Sequence, residues 1–166
     1  MTDTITGRVW TFGDDLNTDL VIPNFAILLP RAEQTQHCFN ANRPGWVNEV
    51  QPGDVLIAGT NFGVGSGRPI GDIFADLGIS LIVAESFNGL GLRNCVNLGI
   101  PCLPCEGVSE FFDEGDVARV DWKTGEVQNL TKGTSLMGQP LPKTVTDIVD
   151  GGGVMPILKK EGFLPA

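Results

Sequence analysis

The sequence predicts an α/β fold: a mostly parallel core sheet with flanking helices and an antiparallel addition. Three observations lead there. Two compact apolar runs, residues 54–58 and 80–84, enclose a segment with apolar residues at helical spacing. A third short run, 100–103, follows another such segment. Strand, helix, strand, helix, strand in this order implies parallel pairing through right-handed crossovers. The last third then changes to hairpin patterning.

Residues 7–12 read as a short strand, followed by the polar turn Gly13-Asp14-Asp15-Leu16-Asn17-Thr18-Asp19 and the apolar run 20–23, a strand leading into a loop. Residues 31–40 carry weak helical character. With the turn signal Asn42-Arg43-Pro44-Gly45 behind them, the stretch before Trp46 is expected to be irregular. The run 54–58 is a buried strand that enters the densest glycine segment of the chain, Gly59-Thr60-Asn61-Phe62-Gly63-Val64-Gly65-Ser66-Gly67. Pro69 opens a helix over 69–77, in which Ile70, Ile73, Phe74 and Leu77 share one face and Gly78 is the stop. Leu92, Cys95, Val96 and Leu98 form a second short helix ending at Gly99. Residues 117–122 and 126–130 flank Lys123-Thr124-Gly125 as a hairpin, and 144–149 and 154–160 read as short helices. With no linker and no internal repeat, residues 1–166 are expected to form one unit.

Composition limits the function. A chain of 166 residues, 42% apolar, can hold a core without covalent staples. A formal net charge of -9 argues against phosphate-backbone binding, so no nucleic-acid partner is expected. No apolar run approaches the roughly 20 residues of a membrane helix, and the first six residues lack the pattern of a signal peptide. Four cysteines, Cys38, Cys95, Cys102 and Cys105, are too few for a disulfide scaffold. A cytoplasmic chain without a membrane partner is the expectation.

A strand that ends in glycines and runs into a helix is an anion site, because free N–H groups and the helix dipole both favour negative charge. Here the turn also carries Ser66 and Arg68. A guanidinium grips a carboxylate with two prongs, and a serine oxygen beside it can donate or take a proton. The same residues also allow a plain reading: a tight turn, with Ser66 as a cap and Arg68 in solvent. A phosphate loop of the Gly-Lys-Ser/Thr type is absent, and a serine-hydrolase elbow would need glycine where Val64 and Arg68 stand. A dinucleotide turn stays open: Gly63-Val64-Gly65 precedes a helix and Glu85 ends the next strand, although Arg68 replaces its third glycine. Cys102 and Cys105 form a lone CxxC, and the single histidine, His37, is distant in sequence; no metal site is expected, and these residues read as packed.

Taken together, a series of short motifs resembles one family. They are Gly13-Asp14-Asp15, Asn17-Thr18-Asp19, Val21-Ile22-Pro23, His37 with Phe39, Pro52-Gly53-Asp54, Asn61-Phe62-Gly63-Val64-Gly65-Ser66, Ser86-Phe87, Arg93-Asn94 and Gly99-Ile100-Pro101. Their order and spacing resemble the small subunit of 3-isopropylmalate dehydratase (isopropylmalate isomerase), equivalent to the swivel domain of aconitase, and the length resembles its compact archaeal type. The resemblance implies a swivel-type domain that docks on a large iron-sulfur subunit. That partner would carry the 4Fe-4S cluster, which this chain would not bind. The implied reaction is the dehydration and rehydration of a small 2-hydroxy dicarboxylate, in leucine biosynthesis. By the same resemblance Ser66 matches the catalytic serine and Arg68 the carboxylate-binding arginine. Asp19 matches the acidic residue that faces a histidine of the large subunit, and Gly65 and Gly67 frame the substrate turn.

The departures from the family pattern are informative. Where the usual motif reads Gly-Ser-Ser-Arg-Glu-His, this chain has Gly65-Ser66-Gly67-Arg68-Pro69-Ile70. The loop Asn24-Phe25-Ala26-Ile27-Leu28-Leu29 is more apolar than usual, and the arginine often found there is absent or displaced to Arg31. Leu28 and Arg31 are therefore candidate substrate contacts, for a diacid with an apolar side group such as isopropylmalate, dimethylmalate or citramalate. The altered motif also leaves room for a noncatalytic interaction module on the same fold, beside the nucleotide-binding enzyme.

Overall fold

A computed structural model describes residues 3–165. Val55–Ala58 (β2) and Leu81–Ala84 (β3) are buried at every residue, as strands covered on both faces must be. They pair in parallel, and β3 pairs in parallel with Cys102–Pro104 (β4). Thr4–Thr11 (β1) uses its two halves differently. Val9, Trp10 and Thr11 run parallel to β2, while residues 4–8 run antiparallel to Val117–Asp121 (β5). Glu126–Asn129 (β6) and Thr134–Met137 (β7) extend that antiparallel half, giving the order β4-β3-β2-β1-β5-β6-β7. The expected architecture is present: a parallel core, flanking helices and antiparallel strands forming a swivel-like half-barrel.

The helices are Thr18–Val21 (α1), Arg31–Gln36 (α2), Ile70–Leu77 (α3), Gly89–Val96 (α4), Val108–Phe111 (α5), Lys143–Asp150 (α6) and Val154–Lys160 (α7). The α3 helix buries Ile70, Ile73 and Phe74 and stops at Gly78, whose φ of 75° only glycine adopts at little cost. It runs tight against α4, where a Cβ on Gly71 would lie 2.2 Å from the Asn94 carbonyl oxygen.

Local structure departs from the expectations at a few places. The run 20–23, expected within a loop, begins with the end of α1, a helical turn that Asn17 starts by accepting the Asp19 N–H. The helical character read in residues 31–40 is present as α2 over Arg31–Gln36, turns follow it up to residue 45, and the stretch closes with the 3₁₀ turn Trp46–Asn48, which had no sequence expectation. This segment is held by aromatic packing: Phe39 stacks on Phe12 at 4.5 Å and meets Trp46 edge-on at 4.9 Å. Finally, α5 and β7 had no sequence expectation. The β7 strand lies at the exposed edge of the sheet and lacks the alternation that marks a half-buried strand.

Asp54 ties β1 to β2. Its carboxylate accepts from Arg8 at 2.7 Å, from the Trp10 indole at 2.7 Å and from the Gln51 N–H at 2.9 Å. Burial pushes this carboxyl up, but the three donors outweigh burial and hold it below the usual carboxylate range. A depressed folded value means that the stabilisation is complete above the unfolded value of about 4 and is lost as pH falls through the folded one. Asp54→Asn is expected to cost about 1.5–3 kcal/mol at neutral pH. Urea titrations across pH should show the gap between variant and wild type closing in acid; a gap that persists unchanged would remove Asp54 from the acid response.

Candidate functional site

The site lies beyond the C-terminal end of β2, where open parallel sheets bind ligands. The glycine segment leaves β2 and meets the segment that leads into α1. The Gly63 N–H donates to the Leu16 carbonyl at 2.9 Å, and the Thr18 N–H donates to the Val64 carbonyl at 2.7 Å. Two close approaches need glycine. Gly63, at φ 80°, faces Gly91 of α4, and a Cβ on Gly63 would stand 2.5 Å from the Gly91 Cα. Gly65, at φ 123°, would place a Cβ 2.1 Å from Asn17 Oδ1 and 2.7 Å from Thr18 Oγ1.

These contacts bring Asp19, Ser66 and Arg68 together. The Ser66 hydroxyl donates to Asp19 Oδ1 at 2.6 Å, and Arg68 Nε lies 2.9 Å from the same oxygen and 3.4 Å from Ser66 Oγ. The Arg68 side chain is only 6% exposed, which corrects the picture of a solvated arginine, while Asp19 is 43% exposed. The two terminal nitrogens of Arg68 donate to the Ile22 carbonyl and to Asn24 Oδ1. Its backbone is fixed as well, because Asn94 donates to the Arg68 carbonyl at 3.1 Å and accepts the Gly71 N–H at 3.3 Å. The Ser66 hydrogen bond holds the Asp19 carboxyl below its ordinary range, against a weaker push from burial and with help from the Arg68 charge. The cluster is thus a hydroxyl poised between a carboxylate and a guanidinium, suited to proton transfer beside a bound anion.

Gly65 and Gly67 flank this cluster, as the sequence placed them. Leu28 is 92% exposed on the loop that Asn24 anchors to Arg68, and Phe25 and Ile27 are exposed beside it. Arg31 stands outside the cluster: its guanidinium is engaged by Asp72 and Asp76 of α3, each at 2.6 Å. Asn17, Asn24 and the Ile22 carbonyl were missed as site groups. Two of them had a readable signal: Asn17 as part of the Asn17-Thr18-Asp19 motif, and Asn24 as the one polar residue in the apolar stretch after Pro23.

The remaining candidates resolve differently. Glu85, the possible ribose ligand, already accepts the N–H groups of Gly107 and Ser109 and the Ser109 hydroxyl. All four cysteines are buried free thiols, and burial pushes Cys105 up to about 11. Among the described residues no group of three or more His, Cys, Asp and Glu side chains could hold a metal ion. Among the described residues no helix is long and apolar enough to cross a membrane.

No family model matches the chain. It is, however, 41% identical over 165 residues to the isopropylmalate/citramalate isomerase small subunit of Methanocaldococcus jannaschii, with 97% of each chain covered. The chain belongs to the 3-isopropylmalate dehydratase small-subunit family. Within that family, 3-isopropylmalate dehydratase small subunit 1 of Methanopyrus kandleri is 38% identical, with 98% of this chain and 96% of the relative covered. The crystal structure of a 3-isopropylmalate dehydratase from Methanocaldococcus jannaschii superposes with a TM-score of 0.89 at 28% identity, covering 96% of both chains.

The glycine turn leaves little tolerance at residue 65. Asn17 Oδ1 is committed to capping Asp19, so it cannot yield to a side chain at position 65. Gly65→Ala is expected to release that cap and cost about 1–3 kcal/mol. Gly67→Ala, whose added carbon meets only Leu90 at 3.7 Å, should cost less. Thermal unfolding of both variants checks the order, and equal costs would sink the Asn17 contact as its cause.

Proposed function

We propose that this chain is the small subunit of a hydro-lyase that dehydrates and rehydrates an isopropylmalate-like 2-hydroxy dicarboxylic acid, as in leucine biosynthesis. The observation that carries the reading is the Asp19–Ser66–Arg68 cluster on a glycine turn. It supplies a proton acceptor and an anion grip at one point.

In this reading Arg68 binds a substrate carboxylate along the edge that now faces Asp19. Ser66, as the alkoxide, removes the proton from the carbon next to the hydroxyl-bearing carbon. The electron pair of that C–H bond becomes the double bond as the hydroxyl leaves as water with a proton from a general acid, which this reading assigns to the large subunit, and the reverse steps add water at the neighbouring carbon. A serine hydroxyl is a weak base in water, so its anion needs the adjacent guanidinium and the turn's N–H groups. Asp19 accepts the hydrogen bond of the hydroxyl that Ser66 becomes once it has taken the substrate proton, and turns toward a histidine of the large subunit in the assembled enzyme. The family's 4Fe-4S cluster would supply a Lewis acid for the departing hydroxyl. This chain's residues do not fit it, since the four cysteines are buried and no three ligands gather among the described residues. The reading therefore assigns the cluster to the large subunit.

The apolar loop favours one substrate group. Phe25, Ile27 and Leu28 offer hydrocarbon and no cation, which suits an alkyl substituent better than the third carboxylate of citrate. Citramalate and isopropylmalate, both in the name of the Methanocaldococcus relative, are alkyl-substituted diacids of this kind. Arg31 would steady the far end of this loop through α3, and would reach a substrate only by leaving Asp72 and Asp76.

Co-expression with the large subunit and anaerobic assay over isopropylmalate, dimethylmalate, citramalate and citrate tests the reading. Alkyl diacids should turn over faster than citrate; preference for citrate would end the apolar-pocket assignment. Ser66→Ala should lower kcat by roughly 10²–10⁴-fold with the complex intact by gel filtration. A fully active Ser66→Ala enzyme would exclude Ser66 as the base.

A further inference from the structure

Arg68 is held at three points of its plane. Its Nε edge faces Asp19 and Ser66, one terminal nitrogen donates to the Ile22 carbonyl, and the other donates to Asn24 Oδ1. These partners are not equivalent. The Ile22 carbonyl is main chain and invariant to side-chain change. Asp19 is charged, 43% exposed, and occupies the edge that an incoming carboxylate would take. Ser66 shares that edge, so Asn24 is the neutral side chain that meets a terminal nitrogen, and it belongs to the short 3₁₀ turn Asn24–Ala26 that begins the exposed apolar loop.

We infer that Asn24 is a positioning residue that fixes the Arg68 guanidinium through an uncharged acceptor, leaving the cation's charge available to a substrate carboxylate. The inference rests on the proposed role of Arg68 as the carboxylate ligand. The chemistry follows from the acceptor type. A neutral amide oxygen orients a guanidinium without neutralising it, whereas a second carboxylate would pair with the cation and repel an anionic substrate. The chain is already acidic, with a net charge of -9, so an uncompensated Arg68 matters more for drawing in a dianion. The same bond couples the loop to the site, because Asn24 is followed by Phe25, Ile27 and Leu28, whose position is then set by where Arg68 lies.

The test uses the assembled enzyme and the full chain in parallel. In the assembled enzyme Asn24→Asp keeps the size and the acceptor oxygen, so a purely structural acceptor predicts unchanged kinetics. The inference predicts that KM for the diacid rises about tenfold, more than kcat falls, as expected when ground-state binding is lost. Asn24→Ala should lower kcat/KM about tenfold or more, since it removes the orienting contact. A wild-type KM in Asn24→Asp would overturn the inference.

Nitrogen-15 NMR of the full chain gives a readout that needs no activity. The Arg68 side-chain N–H signals, assigned by their loss in Arg68→Lys, should be resolved in the wild type and broadened in Asn24→Ala by freer rotation. Unaltered signals in Asn24→Ala would overturn the clamp even in an active enzyme. An assembled enzyme inactive on every diacid, but with the NMR result as expected, would reject the proposed function and leave the clamp standing.

Discussion

Four backbone hydrogen bonds join the glycine segment after β2 to the segment before α1, and the two nearest the site run from the Gly63 N–H to Leu16 and from the Thr18 N–H to Val64. Much of the site follows from this crossing. It sets α1 directly over the turn, so that Asp19 reaches Ser66 and the chain emerging from α1 passes its Ile22 carbonyl and Asn24 amide over Arg68. The crossing is possible because residues 63 and 65 carry no side chain, and because Gly91 lets α4 close from the other side. Backbone proximity, rather than any single strong pair, therefore creates the polar cluster.

Electrostatics then divides the labour within the cluster. Arg68 is buried and would be costly without partners, and it has one charged and several neutral ones. A half-exposed carboxylate such as Asp19 is the exchangeable member, whereas the amide and carbonyl acceptors are fixed by the fold. An anion arriving from solvent thus meets a guanidinium whose orientation is already determined, which limits the ordering required on binding.

The parallel core was legible in the sequence because each of its elements is defined locally. Four-residue apolar runs buried on both faces, a helix with Ile70, Ile73 and Phe74 at regular spacing, and Gly78 as its stop are all read within a few residues. The segment from 37 to 50 was not legible, since its order comes from Phe39 and Trp46 packing on Trp10 and Phe12, far away in the chain. The site was half legible. Ser66 and Arg68 stand out beside the glycines, and the family resemblance added Asp19. Whether Arg68 faces solvent depends on acceptors 44 and 46 positions away, which no local pattern reveals.

The split pairing of β1 has a bearing on how such a chain can vary. Its later residues join the parallel strands that carry the site, and its earlier residues join β5 and the strands beyond. Along the sheet, the outer edge with β7 and the turn at Thr131, Lys132 and Gly133 is separated from β2 by three strands. The exposed turn on that edge is where the fold can accept lengthening, labels or surface-attachment points at the greatest remove along the sheet from the loop beyond β2.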